Sequence, residues 1–166
     1  MKIVKSTFAL LVAAGCCSIP HIAQAYQLTR EEADVRLIGS IPAICLPQKA
    51  RRPFPVSYVM MMESHALQAG RWTIELKDGA DPMKLRPGNC ISYDSMPDGY
   101  RHDPSEDGRE NSPLSLNTIY YFQMTRRIPI LWYMPTAIYE ATFCLKEDTD
   151  GTVSIQKESA CPDSSR

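Results

Sequence analysis

Arg71-Trp72-Thr73-Ile74-Glu75-Leu76-Lys77 alternates apolar and polar side chains without a break. Successive side chains of a strand point to opposite faces, so Trp72, Ile74 and Leu76 share one face while charge and hydroxyl occupy the other, the pattern of a half-buried strand. Residues 137–145 repeat it, with Tyr139, Ala141, Phe143 and Leu145 inward and Glu140, Thr142 and Cys144 on the opposite side. Runs at 34–39, 41–46, 55–62, 90–93, 116–125 and 152–157, bounded by turn residues, add further strand candidates. Asp-Gly dipeptides begin at 78, 98, 107 and 150 and mark turns, because glycine tolerates positive φ and aspartate bonds its own backbone; Asp150-Gly151, between two alternating runs, is the strongest hairpin signal. The 13 prolines and 8 glycines break up any long helix, and only Thr29-Arg30-Glu31-Glu32-Ala33 has the residues to cap one short helical turn. Strands with no intervening helical pattern predict an all-β antiparallel sandwich.

The first 25 residues carry a different signal. Lys2 and Lys5 precede an apolar stretch at 8–15, and Pro20 leads into Ala23-Gln24-Ala25, a small-x-small cleavage site of a secretory signal peptide. Ala13-Ala14-Gly15-Cys16 competes with it as a lipobox, in which Cys16 is lipidated and becomes the new N-terminus. The expected locations are the periplasm after release at Ala25, or a membrane anchor through Cys16. Cleavage after Ala25 leaves 141 of the 166 residues and removes Lys2 and Lys5, shifting the formal net charge from −1 to −3. The predicted order is a signal peptide at 1–25, a lead-in at 26–33, the sandwich at 34–158 and a tail at 159–166. A mildly acidic domain lacks the basic stripe with which nucleic-acid binders displace counterions, and no later stretch is apolar enough to span a bilayer.

Release at Ala25 leaves Cys45, Cys90, Cys144 and Cys161, an even set in an exported chain, which implies two disulfides. Four cysteines allow three pairings. Cys45–Cys90 with Cys144–Cys161 is preferred, because the second bridge staples the short tail to the strand before it. No CxxC spacing supports zinc or redox chemistry.

Two segments interrupt the strand rhythm. Residues 94–113 are polar and too long for an ordinary turn, as functional loops are. His102 and Asp103, with Asp94, Asp98, Glu106 and Asp107, could offer ligands to a cation or an acid–base pair, and a solvated acidic loop is the plainer reading. His65 beside Ser64 reads as an exposed end-of-strand residue, since strand neighbours face opposite ways. No HExxH, GxSxG, Walker or GxGxxG pattern occurs, so neither an enzyme nor a cofactor is expected. Residues 126–135 place Arg126, Arg127, Trp132, Tyr133 and Met134 together, the residue types that anchor protein interfaces. The competing reading puts Ile130, Trp132 and Met134 in the core as an edge strand. Trp132→Ala separates the two: an interface anchor loses about 2 kcal/mol of partner binding with folding intact.

Asp34-Val35-Arg36-Leu37-Ile38-Gly39, then Ile44-Cys45-Leu46-Pro47, Pro87-Gly88-Asn89-Cys90-Ile91, the segment Leu116 to Tyr121 and Tyr139-Glu140-Ala141-Thr142-Phe143-Cys144-Leu145-Lys146 together resemble small periplasmic lipoproteins of Gram-negative bacteria regarded as candidate immunity proteins of type VI secretion. The resemblance spans most of the chain after the signal peptide. It implies an immunoglobulin-like β-sandwich and a non-enzymatic role in which the protein binds and neutralises a toxin acting in the periplasm; it carries over no site residues. A structural component of the envelope or of a surface appendage is the alternative, and it would expose an edge strand for β-augmentation.

Overall fold

The computed structural model describes residues 29–64, 72–103, 113–127 and 138–161. The signal peptide, Cys16, His65, Trp132 and Tyr133 lie outside them. The strands are β1 (Arg30–Glu32), β2 (Asp34–Ile38), β3 (Ile41–Cys45), β4 (Phe54–Pro55), β5 (Tyr58–Glu63), β6 (Trp72–Leu76), β7 (Lys84–Leu85), β8 (Cys90–Ser92), β9 (Tyr100–His102), β10 (Ile119–Thr125), β11 (Ile138–Glu147) and β12 (Val153–Lys157). A single 3-10 turn, Glu158–Ala160, follows. The protein is all-β.

Seven strands form the main sheet, in the order β1-β11-β10-β5-β6-β9, with β12 also on β11; β2-β3-β8 and β4-β7 form two smaller sheets. Alternation along the main sheet places its inner face as expected. Trp72 and Ile74 of β6 are buried with Val59 and Met61 of β5, Tyr120, Phe122 and Met124 of β10, and Phe143 and Leu145 of β11. They share one core with Ile44, Leu46, Phe54, Leu85 and Ile91 from the smaller sheets. Trp72 ties the two sides together, its ring standing edge-on to Phe122 at 6.1 Å and to Tyr93 at 5.5 Å. Thr73 departs from the pattern: it alternates away from the core yet is fully buried, and its hydroxyl has no hydrogen-bond partner among the described residues.

Both disulfides take the preferred pairing. Cys45–Cys90 joins directly opposed positions of β3 and β8. Cys144 faces away from Phe143 and Leu145 and binds Cys161 just past the 3-10 turn. Asp148 to Thr152 closes the β11–β12 hairpin: the Asp148 amide donates to the Thr152 carbonyl at 2.8 Å, and Gly151 sits at φ 81°.

Three expectations are corrected. The main sheet is mixed, because β1 runs parallel to β11. Most of the chain separates these two strands, so no hairpin imposes an antiparallel direction on them. The segment able to cap a helical turn is that same strand: Arg30–Glu32 takes one half of the β11 edge while β12 takes the other. The polar stretch at 94–113 contains strand β9, paired with β6. Its anchor is Tyr100, whose buried hydroxyl donates to the Val56 carbonyl at 2.6 Å and accepts from the Met83 amide at 3.1 Å.

Candidate functional site

Alternation along β10 sets the surroundings of the two arginines that follow it. Phe122 and Met124 point inward, and Arg126 continues that side: its guanidinium carbon lies 5.7 Å from the centre of the Phe54 ring. Its Nε and Nη2 are buried and have no hydrogen-bond partner among the described residues. Burial lowers the pKa of this guanidinium, opposed by the nearby Tyr139. Arg127 stays exposed, donates its amide to Ser57 Oγ at 2.8 Å and reaches Asp78 at 3.8 Å. The two arginines therefore do not share one surface, and Trp132 and Tyr133 lie outside the described residues.

His102 is exposed on β9, with Nδ1 3.2 Å from the Thr73 carbonyl oxygen. Its neighbour Arg101 pairs with Glu75 at 2.7 Å, which raises the arginine's pKa. Among the described residues no group of three or more His, Cys, Asp or Glu side chains converges as metal ligands would.

Two concave features lined by described residues bear on the site. The larger, about 710 Å³, lies where β1 and β12 meet along β11. Its polar groups are largely matched to one another. Arg30 pairs with Glu140 at 2.9 Å, Lys157 with Glu32 at 3.2 Å and Arg36 with Asp34 at 3.6 Å. The Tyr121 hydroxyl lies in hydrogen-bonding contact with the Glu140 carboxylate and 2.7 Å from Gln123 Oε1. Burial and then Glu140 push the Tyr121 phenol well above its ordinary pKa, so it holds its proton. A partner here would have to displace ion pairs already formed.

The smaller feature, about 310 Å³, is mostly apolar and lies at the β2–β3 turn end of the three-stranded sheet. Its rim begins with the β2–β3 hairpin, in which Ile38 and Ile41 face each other across the two-residue turn Gly39-Ser40. Gly39 adopts φ 66°, which glycine takes without a Cβ penalty. Ile38 is 51% exposed, Ile41 43% and Leu116, on the far side, 39%. Pro42, Leu114, Leu145 and Val153 line the interior beside Tyr93. Burial, then the charge of Asp94, pushes the Tyr93 phenol up to about 12, so it too stays neutral.

Among the described residues Asp94 is the one charged residue lining this groove. It sits at φ 64°, and Asn117, next to Leu116, at φ 58°; these are the two non-glycine residues with positive φ among those described. Asp and Asn tolerate the left-handed region better than other side chains, yet such positions collect where a loop must hold a set shape. Asn117 is fixed by its amide donating to the Leu145 carbonyl at 2.7 Å.

Sequence reasoning missed this groove because Ile38, Ile41 and Leu116 sit at the ends of the strand candidates 34–39, 41–46 and 116–125, where alternation says nothing about exposure. The available signal was Ile38-Gly39-Ser40-Ile41, two large aliphatic residues flanking a tight turn where polar ones are usual. Among the described residues no helix is long and apolar enough to cross a membrane, and the two disulfides fit an oxidising, export-accessible compartment. No protein-family model, no curated protein and no solved structure matches the chain.

Proposed function

We propose that this chain is an exported, non-enzymatic binding protein: a periplasmic immunity protein whose immunoglobulin-like β-sandwich sequesters a secreted toxin, with the apolar end groove at the centre of the contact. One observation carries the reading. Ile41 and Leu116 lie exposed around an apolar depression on a disulfide-stapled domain, with Ile38 exposed opposite Ile41 across the β2–β3 turn. Clustered large apolar side chains at a concave surface gain free energy by leaving water, and concave apolar pockets with a polar rim are where interface hot spots gather. A preformed scaffold loses little conformational entropy on binding, which suits an inhibitor. Arg127, Trp132 and Tyr133 are proposed as further contacts, and Arg126 as a residue acting through packing.

The test is capture with the processed, oxidised domain from envelope and secretion fractions of its own source, followed by export of the captured protein in a sensitive host. A single stoichiometric partner that poisons the host alone and is silenced by this protein supports the reading. Recovery of copies of itself or of many envelope subunits supports a structural component instead.

A further inference from the structure

Resting on the reading of the end groove as the docking centre, we infer that its occupant is a protein segment presenting one large apolar side chain beside a basic residue, Lys or Arg. The two halves of this chemistry come from different parts of the groove. Its interior is walled by side chains such as Leu145 and Val153, and its open rim by Ile41 and Leu116, so the group that enters must be apolar to replace the water it displaces.

Its charge is one-sided. Asp94 is exposed and is the single charged residue in the lining among the described residues, so an approaching cation meets attraction and an approaching carboxylate meets repulsion. A carboxylate at the margin of an apolar depression lies in a lower effective dielectric than one on an open surface, which strengthens both effects. Asp94 lines the groove beside Tyr93, so its charge sits at the margin of the apolar hole and position as well as sign is selected. The large cleft along β11 differs in kind, since its cations are already paired with its own carboxylates and a binding segment would have to break those pairs.

The probes are blocked hexapeptides, Gly-Ser-Leu-Arg-Ser-Gly and its Leu-Glu, Leu-Gln and Ser-Arg counterparts, titrated at millimolar concentration into the isotopically labelled, oxidised, processed protein. Amide shifts at Ser40, Asp94, Leu116 and Asn117 report occupancy. The Leu-Arg peptide should bind about tenfold more tightly than Leu-Glu, and Ser-Arg should leave these amides unmoved. Asp94→Asn keeps a residue suited to positive φ while removing the charge, and it should bring Leu-Arg and Leu-Glu to equal affinity. Ile41→Asp and, on a separate element, Leu116→Ser should each abolish the shifts without a change in thermal midpoint.

Equal affinity of the Leu-Arg and Leu-Glu peptides for the unsubstituted protein overturns the basic residue and keeps the apolar one. Absence of groove shifts with every peptide overturns the inference as a whole. Toxin protection distinguishes that failure from failure of the wider reading: full protection by Ile41→Asp moves the docking centre elsewhere on a protein that still acts by binding, whereas no protective partner for the unsubstituted protein removes the binding role itself.

Discussion

Arg126 shows how a residue type that favours interfaces is diverted by its place in a strand pattern. It follows the inward positions Phe122 and Met124, so its guanidinium meets Phe54 and leaves Nε and Nη2 sealed without partners among the described residues. Unpaired burial of a charged group costs free energy that a ring contact returns only in part. Arg126→Met keeps a long flexible stem and a sulfur–aromatic contact while deleting the charge, and should raise stability by about 1 kcal/mol. Chemical denaturation tests it; destabilisation of similar size would mean that the guanidinium has a partner. Tyr100 makes the opposite case. Its hydroxyl serves both the Val56 carbonyl and the Met83 amide inside the core, so Tyr100→Phe orphans two buried backbone groups and should cost about 1–3 kcal/mol. A loss below a few tenths would show that water takes over the two bonds.

At the scale of elements, β11 organises the fold. Its ten residues pair with β10 along one edge and with β1 and then β12 along the other. Cys144–Cys161 fastens the chain beyond β12 to this strand across a separation of 17 residues, while Cys45–Cys90 spans 45. Closing the longer loop removes more freedom from the unfolded chain, so the paired Cys45→Ser and Cys90→Ser substitutions should cost about 4 kcal/mol, against about 3 kcal/mol for Cys144→Ser with Cys161→Ser. Denaturation midpoints of the two double variants give the order, and its reversal would place the difference in the folded state. Both pairings were legible from parity and from the alternation that turns Cys144 away from the core. So were β6, β10, β11 and the Asp150-Gly151 hairpin, since each carries its period over enough residues. β1, β4, β7 and β9 have two or three residues each; their existence depends on a partner strand already in place and leaves no local period. The end groove escaped for a related reason: alternation tells which face a side chain takes, whereas exposure of Ile38 and Ile41 depends on where the neighbouring layer stops.

For the whole molecule, the titration of the buried phenols governs stability at high pH. Tyr93, Tyr100, Tyr120 and Tyr121 all have pKa values raised above the ordinary 10, in each case chiefly by burial. Charged phenolate is disfavoured in the folded protein and accepted in the unfolded one, so each group supports folding fully below pH 10. As pH rises past that value the unfolded chain loses protons that the folded chain keeps, and stability falls by about 1.4 kcal/mol per pH unit for each phenol still protonated. Four such groups should combine into a steep, cooperative alkaline unfolding, with tyrosinate absorbance appearing together with the loss of β-sheet circular dichroism rather than before it. The Tyr121 contribution includes its bond to Glu140, so Tyr121→Phe should both raise the pH midpoint of unfolding and flatten the transition. Gradual ionisation of these tyrosines at their ordinary pKa, with the sheet signal unchanged, would show that their side chains open to water without unfolding and that the packing around Trp72, Phe122 and Phe143 is looser than the ring contacts require.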